Sequence, residues 1–136
     1  MKRRYKLLIG FFVVGIILIS IYFLTLDKKI YYLSLGDSLA AGQTPDETIS
    51  YSYGDYVSEY LKDREKLEFY TKKFAKSGYR SIDVLNDLNN NKRIKENGKE
   101  ITIKNALIKA DIVTLSVGAN DLFYKLNSTR NIDDME

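Results

Sequence analysis

The 136-residue chain contains no cysteine, no histidine, no tryptophan and a single proline. Without cysteine there is no disulfide framework, no thiolate metal site, no cysteine nucleophile and no lipid-bearing cysteine. Without histidine there is no complete Ser-His-Asp triad within these residues and no His-ligated zinc. Disorder by composition is also excluded, because 45% of the residues are apolar and 29% charged. The length allows one domain at most.

Positive charge is scarce outside the first six residues. Lys2, Arg3, Arg4 and Lys6 carry four of the 21 basic side chains, and residues 27 to 136 hold 17 basic against 18 acidic ones. A nucleic-acid partner is therefore not expected, since phosphate binding needs a concentrated basic face. The local cluster Lys72, Lys73 and Lys76 reads as a solvated edge or loop.

Residues 7 to 26, LLIGFFVVGIILISIYFLTL, are 20 residues without a charge. At about 1.5 Å per residue they reach about 30 Å, the thickness of a bilayer core. Tyr22 suits an interfacial position. A buried core helix would rarely run this long without a polar face. A cleaved signal peptide has a shorter apolar stretch followed by a small-x-small site, whereas Thr25-Leu26-Asp27-Lys28-Lys29 follows here. The expectation is a basic cytoplasmic tail (1–6), an uncleaved single-pass membrane anchor (7–26) and an extracytoplasmic domain (27–136). The excess of basic residues before the anchor sets that orientation.

The domain alternates strand and helix. Ile30 to Leu35 reads as a strand apolar on both faces, and Leu67 to Ala75 as a second, less buried one. Ile112 to Val117 reads as a third. Between them, Ser50 to Lys62 places Tyr53, Tyr56, Val57, Tyr60 and Leu61 on one helical stripe. Ser81 is expected to cap a short helix carrying Ile82, Leu85 and Leu88, which the run Asn89 to Asn91 ends. Glu96 to Glu100, around Gly98, reads as a loop, and Ile103, Ala106, Leu107 and Ala110 form another helical face. Gly42 and Pro45 mark one further loop, and Asn127-Ser128-Thr129, a glycosylation sequon by pattern, reads as a short polar loop.

This order predicts an α/β fold with a parallel sheet covered by helices, wound right-handedly. In such sheets sites form beyond the carboxyl ends of the strands. Strand one ends in Gly36-Asp37-Ser38-Leu39, strand two in Ser77-Gly78-Tyr79 and strand three in Gly118-Ala119-Asn120-Asp121. A strand order 2-1-3 makes these termini neighbours. Ser38 is then a candidate nucleophile, and the Ser38 and Gly78 N–H groups with the Asn120 amide are candidate donors to an oxyanion. Singly, Gly-Asp-Ser reads as a capped turn and Gly-x-Asn-Asp as a loop. Their joint placement is the stronger signal.

The motifs GDSL at 36–39, the glycine at 78 within AKSGYRS and GAND at 118–121 resemble blocks I, II and III of the SGNH (GDSL) hydrolases. These are esterases, lipases and acylhydrolases on a flavodoxin-like three-layer α/β/α fold. The resemblance spans residues 30 to about 126. It implies that Ser38 is the nucleophile and that the Ser38 N–H, the Gly78 N–H and the Asn120 side chain form the oxyanion hole. Gly36, Asp37, Leu39, Gly118 and Asp121 are then supporting motif residues. It implies neither metal nor organic cofactor, and partners that are ester-bearing small molecules, lipids or acylated glycans. The sequence does not choose among these substrates.

The family's last block, Asp-x-x-His, has no counterpart here. Asp37 adjoins Ser38 and should point elsewhere; Asp121 reads as structural; Asp133 and Asp134 precede no histidine. Strand three would also be left as a sheet edge despite its apolar character. The expectation is the N-terminal part of a longer hydrolase, with weak folding and no ester turnover of its own. The alternative expectation is a non-catalytic anchored module that binds an acylated surface ligand or a partner chain.

Overall fold

The computed structural model describes residues 2–24 and 28–133. The first element is helix α1 (Lys2–Leu24). The domain follows in the order β1 (Ile30–Gly36), α2 (Ser38–Ala41), α3 (Tyr53–Asp63), β2 (Leu67–Thr71) and α4 (Ser81–Asn89). It continues with β3 (Arg93–Glu96), β4 (Lys99–Thr102), α5 (Ile103–Lys109), β5 (Ile112–Ser116) and α6 (Ala119–Asp133).

Strands β2, β1 and β5 form a parallel sheet in that order, the expected 2-1-3 arrangement. Successive side chains of β1 point to opposite faces. On one face Leu33 and Leu35 pack with Phe74 and with Ile103 and Ala106 of α5. Leu88 of α4 closes that core together with Ile94 and Ile101. On the other face Tyr32 stacks on Tyr70 and bonds Thr114, and Ser34 meets Tyr53 of α3. Helices thus cover both faces of the sheet, as a flavodoxin-like α/β fold requires.

Four local expectations need correction. Glu96 to Glu100 is not a loop but the turn of a two-stranded antiparallel hairpin, β3–β4. Asn97 and Gly98 both have positive φ (49° and 76°), the backbone of a two-residue turn whose twist matches its strands. Ile94 and Ile101, paired across the hairpin, pack on the core while charged neighbours face outward. Strand two stops at Thr71. Phe74 reaches the core from a turn instead, in which the Ala75 N–H donates to the Lys72 carbonyl.

Helix α3 forms, but its buried face is Gly54, Ser58 and Leu61, while Tyr56 and Tyr60 are exposed. The helix lies too close to the sheet for large side chains. A Cβ on Gly54 would stand 2.6 Å from the Tyr70 hydroxyl. Its first turn is closed by reciprocal bonds between Ser52 and Asp55. Burial alone would raise the Asp55 carboxyl, but bonds from the Lys72 ammonium and from Ser52 outweigh it and hold the group below the usual carboxylate range.

The fourth correction is the Asn127-Ser128-Thr129 loop, which lies within α6. There the Ser128 and Thr129 hydroxyls both donate to the Lys125 carbonyl.

Strand β5 pairs only with β1 among the described residues. Val113 and Leu115, on the α5 side of the sheet, stay 43% and 57% exposed. This is the uncovered edge its apolar sequence makes unusual.

Among the described residues no helix is long and apolar enough to cross a membrane, so the span expected over 7–26 is not shown. Side chains of α1 are described only for Tyr5 and residues 9–22, a stretch shorter than a bilayer core, and residues 25–27 lie outside the described residues.

Candidate active site

The site is assembled at the carboxyl ends of β1, β2 and β5. Gly36 closes β1 opposite Ser116, and the Asp37 N–H donates to the Ser116 carbonyl at 2.8 Å. On the other side the Lys76 N–H donates to the Gly36 carbonyl at 2.9 Å. One peptide segment therefore ties the turn after β1 to both neighbouring chain segments. Gly36 can do this because it adopts φ +125°, with no Cβ to strike Ser116.

Asp37 is 2% exposed and caps α2: its carboxylate accepts from the Leu39 N–H at 3.1 Å and from the Ser116 hydroxyl at 2.8 Å. It locks the turn to β5 and is directed away from proton transfer at Ser38. Ser38 is the first residue of α2 and half-buried, and Leu39 is exposed.

Gly78 sits in the loop after β2 at φ +80°, with open space where a Cβ would stand. Among the described residues, neither the Ser38 nor the Gly78 backbone N–H donates to an acceptor of this chain. Asn120, in the first turn of α6, donates from Nδ2 to the Tyr79 carbonyl at 2.9 Å. One N–H of the amide is thereby committed and holds the side chain against the Gly78–Tyr79 segment, leaving the other N–H for an incoming oxygen. Gly118, at φ +114°, makes the turn from β5 into α6, its carbonyl accepting from the Leu122 N–H.

Asp121 joins the start of α6 to the start of α4. Its carboxylate accepts from the Ser81 hydroxyl at 2.7 Å and from the Ser81 N–H at 2.9 Å. These bonds, the hydroxyl first, hold the Asp121 carboxyl below its ordinary range. Ser81 is thus the first residue of α4 rather than its cap, which is Arg80. The start of α4 is fastened to the start of α6, and the Arg80 guanidinium lies 4.4 Å from the Tyr124 ring centre.

Tyr79 is fixed independently, because Lys92 donates to its hydroxyl at 2.9 Å and to Asp87 at 2.8 Å. The Ser81–Asp121 and Lys92–Tyr79 pairs had no sequence signal, since each joins residues through the fold rather than through a spacing.

Two cavities among the described residues bear on the site. One, of about 390 Å³, lies toward the start of β1, against Tyr31, Phe69 and the β3–β4 hairpin. Its carboxylates are already bonded, Glu96 to Thr71 and Glu100 to Arg93. The other, of about 460 Å³, lies beside the site, between Ala41 and the loop carrying Ser77. Among the described residues no group of acidic side chains is placed to hold a metal ion.

A parallel sheet covered by helices, with Ser38, Gly78 and Asn120 beyond its strand ends, is a flavodoxin-like α/β fold with the Gly-Asp-Ser-Leu motif at its carboxyl rim. Residues 34–136 match the GDSL-like Lipase/Acylhydrolase family, and the chain belongs to it. Neither the curated proteins nor the solved structures provide a match.

Proposed function

We propose that the protein is a membrane-anchored, extracytoplasmic serine ester hydrolase. The observation that carries this is the meeting of the Ser38 segment, the Gly78 loop and Asn120 at one end of the sheet, tied by the Gly36, Ser116 and Tyr79 carbonyls. In the proposed reaction a base takes the Ser38 hydroxyl proton while Oγ attacks the acyl carbon. The carbonyl electrons move to oxygen, and the oxyanion is held by the Ser38 N–H, the Gly78 N–H and the Asn120 amide. Collapse expels the alcohol, which takes the proton, and water then releases the acid from Ser38.

The test is covalent capture. With imidazole supplied as the base, a fluorophosphonate carrying a reporter should label the chain at Ser38, the serine proton passing to imidazole and fluoride leaving as the serine oxygen bonds phosphorus. Ser38→Ala should remove the label, and peptide mapping to another residue would defeat the assignment.

A second reading is favoured by one observation: the 136 residues contain no histidine to act as that base. It makes the domain a non-catalytic module that binds an acylated surface ligand, and it predicts no labelling at all.

The anchor is proposed from α1. Its described apolar side chains are exposed all round, among them Phe11 and Phe12 at 77% and 72%, and no charge occurs in residues 7–26. Single-pass insertion with the N-terminus in the cytoplasm follows from Lys2, Arg3, Arg4 and Lys6. The full chain should stay in the membrane pellet after alkaline carbonate extraction; release into the supernatant would exclude the anchor.

A further inference from the structure

We propose that the cavity beside Ser38 binds the apolar arm of an anionic ester, with Lys76 taking the negative charge. The proposal deepens the hydrolase reading, on which its placement at the ester site rests. The cavity, of about 460 Å³, falls within the range of small-molecule sites. It is lined by Ala41, Ile49, Ala75 and Ser77 and by three lysines.

The three lysines differ. Lys72 Nζ donates to the Asp55 carboxylate and the Ser50 carbonyl, both at 2.6 Å. Lys73 Nζ donates to the Lys95 carbonyl at 3.0 Å and to Glu96 at 3.3 Å. Their charges are spent, and what they offer the cavity is methylene stem. Lys76 is exposed and has no carboxylate partner among the described residues; its ammonium stands 5.8 Å from the Tyr79 ring centre.

The Ser77 hydroxyl oxygen is buried and has no hydrogen-bond partner. Ser77 lines the cavity one residue before Gly78. Ile49, on the cavity wall, is 60% exposed, and Ala41 and Ala75 add small apolar surface. An apolar wall with one uncommitted cation is complementary to a chain bearing a single anionic group. Ala41 lies one helical turn from Ser38, and the Lys76 N–H is bonded to Gly36, so a ligand seated here lies alongside the reacting serine.

Binding, rather than turnover, tests this. Hexyl phosphate and hexanol are titrated calorimetrically into the full chain in phosphatidylcholine nanodiscs, with empty nanodiscs subtracted. Hexyl phosphate is expected to bind about tenfold tighter than hexanol. Lys76→Gln should erase that preference, while Lys73→Gln, whose charge is already paired, should keep it. Ala75→Phe, which fills the wall, should weaken both ligands, with far-UV circular dichroism showing that the variant remains folded. Equal affinities for the two ligands, a preference that survives Lys76→Gln, or one lost equally in Lys73→Gln would overturn the proposal. The titration is repeated on Ser38→Ala. Retained binding there, beside absent fluorophosphonate labelling of the wild type in the presence of imidazole, would remove the hydrolase reading and leave the anionic site standing.

Discussion

Gly36→Ala is expected to abolish the cooperative fold of the domain. A Cβ at this position would lie 1.9 Å from the Ser116 carbonyl oxygen and 2.7 Å from its carbon. Neither partner can move away cheaply. The Ser116 oxygen is held by the Asp37 N–H, and the Gly36 carbonyl by the Lys76 N–H. Relief of the clash therefore breaks the pairing of β1 with β5, the link of β1 to the loop after β2, or both. The φ of +125° is also closed to an L side chain.

A cost of about 4 kcal/mol or more is expected, a large part of a small domain's total stability. That corresponds to a fall in Tm of about 20 °C or complete loss of the transition. Gly78→Ala is the comparison: a Cβ there meets open space, so only the left-handed backbone is charged, about 1–2 kcal/mol. Thermal unfolding followed by circular dichroism decides it. Two variants with similar Tm values would show that the Ser116 contact is not the determining one.

Imidazole added to the full chain is expected to raise p-nitrophenyl acetate hydrolysis by about tenfold or more in a Ser38-dependent way. The physical reason is that residues 1–136 place candidate oxyanion donors at the strand ends but contain no histidine to serve as the base. Removing a triad's histidine alone costs up to about 10⁶ in rate, whereas an oxyanion hole and binding still leave about 10³–10⁴ over water. A soluble base small enough to reach the half-buried Ser38 restores part of the lost proton transfer. The rescued rate should saturate with ester, and Asn120→Ala should lower it by about 10²–10³. Ser38→Ala should show only imidazole's own solution reaction. If wild type and Ser38→Ala give superposable rates at every imidazole concentration, Ser38 is not the nucleophile.

Much of the site was legible because its residues end strands. The runs 30–35 and 112–117 are short, apolar and closed by glycine, and their termini carried Ser38 and Asn120 to the places where the parallel sheet puts them. The β3–β4 hairpin was legible in principle. Asn97-Gly98 between alternating charged and apolar residues is a turn signal, but the many charges of RIKE and KEIT mask the two isoleucines that matter. The face of α3 was not legible. Tyrosines at helical spacing look like a core stripe, yet a glycine faces the sheet because Tyr32 and Tyr70 already fill the space beneath the helix.

By itself, then, the sequence determined the strand-helix order, the parallel sheet and the identity of the three motif segments, since these depend on local periodicity and on which residues permit a turn. It also determined that the chain supplies no imidazole, which is a matter of composition. The tertiary structure decided which groups are still available to a ligand. Asp37 and Asp121 are carboxylates beside the motifs in sequence, but one is bonded to Leu39 and Ser116 and the other to Ser81. Three lysines are alike as letters, but Lys72 and Lys73 are paired by residues about 20 positions away and Lys76 is not. Availability is set by partners distant along the chain, and only the packing of the sheet, the helices and the hairpin brings those partners into reach.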